Sequence, residues 1–309
     1  MAFDSDAEAE AFARQHTAKP AWEAEGIKAA EPVADAERVL ERLRADWEQA
    51  KHEQARRERQ IIKFPNDYAM LVFLGDQHLG DEGTDYPRLF AEAETIAGTE
   101  GMYAASLGDM LDNFIKAKLS HIRFRTRASI PDEAVAAREY LGILGPKLWA
   151  LVEGNHEWWT QAAAGVDYVR EMLAQIAPDC LWDNDDCRVT VRVGAYEWRV
   201  RMRHDWPGSS MYNITHGVER GALFDGGFDI GVGAHTHRSG VARGFNNHGG
   251  SGLAVLVGTY KRLDPFSRQK GFHKANNSTA VAVLLDGISG AMVGFEDLDL
   301  AARVIGQLL

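Results

Sequence analysis

The sequence predicts an α/β fold of layered sheets flanked by helices, and three observations predict it. From Tyr68 onward, short apolar runs with strand character alternate with stretches of helical periodicity. In the second half, strand-like runs follow one another closely, as paired strands do. The early apolar runs also end in clusters of polar side chains, and ligands of open α/β sheets gather at the carboxyl ends of strands.

Residues 1–63 differ in texture from the rest, being rich in Ala, Glu and Arg and nearly free of Gly. A helical pattern runs from Asp35 to about Gln60, with Val39, Leu40, Leu43, Trp47 and Ala50 on one apolar stripe. This predicts an N-terminal helical extension packed on the main domain or on a second copy of the chain, a homo-oligomer contact. Pro65 and Asn66 mark the break, so the main domain is expected over residues 64–309. Its first strands are expected at Ala69–Leu74, Tyr103–Leu107 and Leu148–Val152, separated by helices over Pro87–Ala97 and Asp132–Leu144. Later strands are expected at Arg188–Val193, Glu197–Arg203, Phe228–Val232, Leu253–Val257 and Thr279–Leu285. There is no internal repeat.

A chain of 309 residues can bury a sizeable core. Its net charge of −11 argues against nonspecific coating of nucleic acid but leaves room for a local basic surface. Met1–Glu10 is acidic without an apolar core, so no signal peptide is expected. No uninterrupted apolar run approaches the ~20 residues that span a bilayer, so no membrane partner is expected. Cys180 and Cys187 are expected to be free thiols in a reducing cytosol, which gives a cytoplasmic location.

The polar clusters are Asp76-Gln77-His78, Gly108-Asp109-Met110-Leu111-Asp112-Asn113, Gly154-Asn155-His156-Glu157, a lone His204, and Gly233-Ala234-His235-Thr236-His237. Residues two apart in an extended segment project to the same side, so Asp76 with His78, and His235 with His237, can reach one ion. Each cluster alone is weak, because a Gly-Asp is usually a turn and a single strand-end histidine is usually structural. Five in this order are not. Imidazole and carboxylate donors without thiolate suit Mn²⁺, Fe, Zn²⁺, Co²⁺ or Ni²⁺ better than Ca²⁺ or Mg²⁺ alone. Two divalent ions against two carboxylates leave positive charge that attracts phosphate.

The ordered set D-x-H, G-D-x-x-D, G-N-H-[DE], H and G-H-x-H resembles the signature of the calcineurin-like metallophosphoesterase superfamily, over about residues 69–237. The resemblance implies a four-layer α/β/β/α sandwich of two mixed β-sheets. It implies two divalent ions, Mn²⁺ expected first, one held by Asp76, His78, Asp109 and His237 and the other by Asp109, Asn155, His204 and His235. His216 competes with His204 for the lone-histidine role; His204 is preferred because it closes a strand. It further implies phosphate-ester hydrolysis by a hydroxide bridging the ions, with His156 as proton donor and Asp112 as its partner. Glu157 is expected to support the loop. Ala234 stands where the family has Gly, which removes no ligand.

Protein Ser/Thr phosphatases of the superfamily carry Arg where this chain has Asn113, so the resemblance lies closer to the phosphodiesterase and nuclease branches. Lys116, Lys118, Arg123, Arg125 and Arg127 follow the Asp109 cluster without an intervening acid, and Lys261, Arg262, Arg268, Lys270 and Lys274 follow the last cluster. Tyr260, Phe266 and Phe272 are interleaved with the second stretch, as bases to be stacked would require. Asn113, Arg123, Arg125, Lys261 and Arg262 are therefore expected to touch substrate, and Trp158 and Trp159 are expected to pack. The expected function is hydrolysis of phosphodiesters, with nucleic acid or nucleotides as the partner. A phosphomonoesterase is the alternative within enzymes, and a non-catalytic scaffold is the alternative outside them.

Overall fold

The computed structural model describes residues 36–57, 60–112, 128–247, 250–262 and 279–309. The chain divides into two compact units, Met1–Arg56 and Arg57–Leu309. In the first, helix α1 (Ala36–Arg57) forms where the 3.6-residue stripe predicts it, and Leu40, Leu43 and Trp47 of that stripe are exposed. No helix among the described residues is long and apolar enough to cross a membrane.

The second unit begins with β1 (Ile61–Lys63) and β2 (Tyr68–Leu74), followed by α2 (Tyr86–Gly98), β3 (Met102–Ser106) and α3 (Ile130–Leu144). Next come β4 (Leu148–Val152), α4 (Asn155–Ala164), α5 (Tyr168–Ile176), β5 (Leu181–Asp183), β6 (Asp186–Val193) and β7 (Tyr196–Arg203). The remainder is α6 (His216–Phe224), β8 (Ile230–Gly233), β9 (Gly240–Asn247), β10 (Gly250–Leu256), β11 (Val281–Asp286), β12 (Met292–Phe295) and α7 (Leu298–Leu308). One six-stranded sheet has the order β1-β6-β7-β8-β10-β9, the other β12-β11-β2-β3-β4-β5. Both are mixed. In the second, β2, β3, β4 and β5 run parallel while β11 is antiparallel to β2 and to β12. Ile61–Lys63, which the composition groups with the leader, pairs in parallel with β6.

Side-chain alternation along β2 shows how the layers form. Ala69, Leu71 and Phe73 point into a core shared with Val189, Val191, Val200 and Val255 of the opposite sheet, so this core lies between the sheets. Met70, Val72 and Leu74 point the other way and pack with residues of α2, α3, α5 and α7. On the outer face of the first sheet, Ala254 packs with Val218 and Ala222 of α6, and with Trp206 and Phe228. The architecture is the expected four-layer α/β/β/α sandwich.

Capping fixes the helix starts. Ser129 and Asp132 form a reciprocal capping box at α3, and Asp85 and Asp297 cap α2 and α7 through their side chains. The two cysteines are not joined in a disulfide, and burial pushes the Cys180 thiol up to about 12.

One buried charge ties β6 and β7 of the first sheet to the end of α6. Arg201 on β7 is buried; its Nε and Nη2 donate to the two carboxylate oxygens of Asp186 at 2.8 Å each, and Nη1 donates to Asp225 at 2.6 Å. Its guanidinium lies 5.0 Å from the centroid of Trp206. Burial pushes the Asp186 carboxyl up, but Arg201 outweighs it and holds the group below the ordinary 3.8. A carboxyl lowered on folding stabilises the fold above its unfolded pKa and loses that contribution as pH falls through the folded value. Asp186→Asn should therefore cost about 2 kcal/mol at neutral pH, with a gap in urea midpoint that closes as pH falls below 3.8. A gap constant with pH would remove this ion pair from the stability of the fold.

Candidate metal centre

Parallel strands deliver the polar clusters to one edge. Because β2, β3 and β4 share a direction, Asp76, Asp109 and Asn155 follow their carboxyl ends side by side. β7 and β8 are parallel in the facing sheet, so His204 and His235 do the same there.

The backbone at these positions is unusual. Among the described residues, the non-glycine positions with left-handed φ are Asp76 (50°), His78 (48°), Asp109 (52°), His235 (66°) and His237 (56°). All five are ligand candidates from the motifs. Such conformations cost about 1–3 kcal/mol each and persist only where the surroundings impose them. Here the loops are stitched to one another. Asp76 N donates to Gly108 O and His78 N to Asp109 O, both at 3.0 Å, and His235 N donates to Asp76 Oδ2 at 2.9 Å.

Glu157 braces the same loops from within. Its Oε2 accepts from the main-chain N–H groups of Asp109 and Gly154 at 2.9 Å each, and its Oε1 accepts from Met110 N at 2.8 Å. This close approach needs bare glycines. A Cβ on Gly108, where φ is +85°, would sit 2.2 Å from Gly154 N. Ala234 is buried in the inter-sheet core, and a Cβ on Gly75 would lie 3.0 Å from its methyl group. The Ala234 methyl group thus fills space that Gly75 leaves.

Two sets of donor atoms result. Asp76, His78 and His237 form one, with His237 Nε2 3.4 Å from Asp76 Oδ1 and 3.0 Å from His78 Nε2. Asp109, His204 and His235 form the other, with His204 Nε2 3.2 Å from Asp109 Oδ2 and 3.2 Å from His235 Nδ1. Two orphaned atoms point to cations. Asp76 Oδ1 and Asn155 Oδ1 are buried without a hydrogen-bond partner. The histidines are also turned as ligands are. His78 Nδ1 donates to Asp112 Oδ1 at 3.1 Å and His204 Nδ1 to Leu107 O at 2.5 Å, which directs each Nε2 inward. His216, the competitor for the lone-histidine role, opens α6 and belongs to neither set.

Electrostatics agree with a cation site. Burial pushes the Asp109 carboxyl up, but His156 and His204 outweigh it and hold the group well below its ordinary range. Burial disfavours charge on His204, yet Asp109 draws a proton to its ring up to about 10. That proton occupies the lone pair a divalent ion would take.

His156 lies close to a member of each set, its ring 4.9 Å from that of His78 and its Nε2 3.8 Å from Asp109 Oδ2. Its main-chain N–H donates to Asp109 Oδ1 at 3.0 Å, its ring stacks on Trp159 at 4.3 Å, and its Nδ1 donates to the main-chain carbonyl of Asp112. Asp112 thus partners His156 through its backbone, while its carboxylate receives His78 and Lys261. The motif spacing could not reveal that division. Lys261, expected at the substrate, is instead buried between Asp81 (2.8 Å) and Asp112 (3.1 Å). Arg262 donates its main-chain N–H to Gly83 O. Asn113, Arg123 and Arg125 lie outside the described residues, as do the remaining basic residues of both stretches.

A cleft of about 430 Å³ opens beside the second set, lined by Asn155, His204 and His235 and, further out, by Trp158, Arg203 and Pro207. Trp159 lines it too while stacking on His156, whereas Trp158 is 41% exposed. Burial and then Asp167 push the Glu153 carboxyl on this cleft up to about 8, so it is largely protonated at neutral pH.

No protein-family model matches the sequence, and no curated protein matches it. Among solved structures, the chain is similar to TT1561 of Thermus thermophilus at 12% identity and a TM-score of 0.40, covering 74% of this chain and 98% of that one. It is similar to the calcineurin-like phosphoesterase YfkN from Bacillus subtilis at 11% identity and 0.36, covering 79% and 97%. The nuclease MPE of Pseudomonas putida matches at 15% identity and 0.34, covering 73% and 87%. Likenesses this distant assign no activity. The four-layer sandwich and the order of strand-end clusters are nonetheless those that the resemblance to calcineurin-like phosphoesterases implies.

Replacing Glu157 by Gln removes one of the two equivalent acceptors that brace the loops. Metal affinity should fall about 10–100-fold, measured by competition with a chromogenic chelator. An unchanged affinity would show that the loops hold their shape without the carboxylate.

Proposed function

We propose that the protein is a metal-dependent phosphoesterase that hydrolyses phosphodiesters, with nucleotides or nucleic acid as the substrate class. The observation that carries this reading is the convergence of two carboxylate–imidazole sets, with an imidazole that belongs to neither close to a member of each: the His156 ring is 4.9 Å from that of His78, and its Nε2 is 3.8 Å from Asp109 Oδ2. Asp76, His78 and His237 would hold one divalent ion, and Asn155, His204 and His235 the other, with Asp109 shared. Mn²⁺ is the first choice for such donors, with Fe, Zn²⁺, Co²⁺ or Ni²⁺ also suited. Bound there, the ions supply positive charge to a phosphate and acidify water at neutral pH.

The chain's own residues do the rest. The Asp112 carbonyl accepts from His156 Nδ1, which leaves Nε2 as the atom that exchanges a proton with substrate. Trp159 holds the ring plane by stacking. When protonated, His156 can give the Nε2 proton to the leaving oxygen, the step on which departure of an alkoxide depends.

A diester has a second substituent, and the cleft beside His204 and His235 offers it a place. Arg203 on that wall is already paired with Asp185 at 2.9 Å, so the cleft suits a planar, uncharged group better than a further phosphate. The exposed face of Trp158 is suited to stack such a group, a nucleobase above all.

With Mn²⁺ added, a bis-aryl phosphate should turn over faster than a mono-aryl phosphate, and clear preference for the monoester would overturn the diester reading. His156→Ala should retain its metal content while kcat falls about 10²–10⁴-fold. Unchanged turnover would remove His156 from the reaction.

A further inference from the structure

Beside the two sets assigned to ions, a third set of ligand-type atoms lies close together: His78, Asp112 and His156. This set already has a cation. Lys261 Nζ lies 3.1 Å from Asp112 Oδ1, the oxygen that also receives His78 Nδ1 at 3.1 Å, and 2.8 Å from Asp81 Oδ2. The lysine side chain is 5% exposed. Its surroundings are built to keep it there. Lys261 N donates to Thr259 Oγ1 at 3.0 Å and the residue bridges Thr84, while Asp81 Oδ1 accepts from Gly83 N at 2.6 Å. An ammonium taken out of water needs such partners, and it binds them both at once.

The carboxylate that Lys261 neutralises is the one a divalent ion would need in this set. Without the ammonium, Asp81 and Asp112 would be two buried carboxylates lacking the cation they share, next to two imidazoles. Such a donor set suits the same metals as the other two. An ion bound there would occupy the ring of His156 that the reaction uses.

We propose that Lys261 is a built-in cation that keeps divalent metal out of the His78–Asp112–His156 cluster, so that metal fills two sites and the His156 ring is left to the substrate. This rests on the dinuclear reading above. A cation supplied by the chain thereby selects between neighbouring clusters of similar composition, a device of exclusion and not of attraction.

The test is equilibrium dialysis of the full-length protein against Mn²⁺ with elemental analysis, for wild type, K261M and K261R, each checked for folding by circular dichroism and Tm. Wild type and K261R should bind two equivalents. K261M should bind a third, and its activity should fall as Mn²⁺ rises past the level that saturates wild type. A folded K261M that stops at two equivalents overturns the proposal. Wild type that stops short of two removes the dinuclear reading instead, so the two failures are distinct. If K261M does not fold, the double variant K261M/D81N, which also removes the stranded Asp81 carboxylate, poses the same question with the same outcomes.

Discussion

Left-handed backbone at the strand ends is the constraint on which this molecule's candidate centre depends. Asp76, His78, Asp109, His235 and His237 adopt a conformation that L residues avoid, and they do so at the single edge where two sheets present their carboxyl ends. Relaxing any one of them toward ordinary β geometry would swing its side chain away from its set. The strain is borne by hydrogen bonds between loops that are far apart in sequence. Asp76 is held to Gly108, His78 to Asp109, and His235 to the Asp76 carboxylate. Buried β-structure beneath them supplies the rigidity. Residues of β2 pack on both faces, with opposite faces of the strand in two different cores.

Charge is arranged with similar care. Two buried carboxylates, Asp76 and Asp109, each face imidazoles, while Asp112, equally buried, is turned to His78 and Lys261. Three aspartates of similar burial thus have different partners, and those partners differ because of chain geometry and not residue type. Glu157 is a fourth buried acid, committed to backbone N–H groups. Its bonds illustrate how an acidic residue within a motif can serve the shape of the loops by accepting from main-chain N–H groups.

Much of this was legible in the sequence because polar clusters after apolar runs are a local signal. The strand at Leu148–Val152 has the predicted bounds, and β2, β3 and β7 begin or end within a residue of expectation. His204 closes β7 and lies in a donor set, while His216 opens a helix, so position relative to a strand end separated two otherwise similar histidines. The three-residue strands β1 and β5 were not legible, since so few residues show no period. Lys261 misled for a different reason. It stands in a basic stretch, but its partners are Asp81 and Asp112, the latter 149 residues away, and nothing local announces such a pair. The division of Asp112 between carbonyl and carboxylate was hidden likewise, because spacing places a residue but does not say which of its atoms is used.

Anomalous diffraction from crystals grown with Mn²⁺ locates ions independently of activity and so tests the paired-cation centre itself. A dinuclear centre gives two peaks in each molecule, one within coordination distance of Asp76, His78 and His237 and one within coordination distance of Asn155, His204 and His235, with Asp109 between them. Peaks placed elsewhere, or none at this edge of the sandwich despite saturating metal, would contradict it.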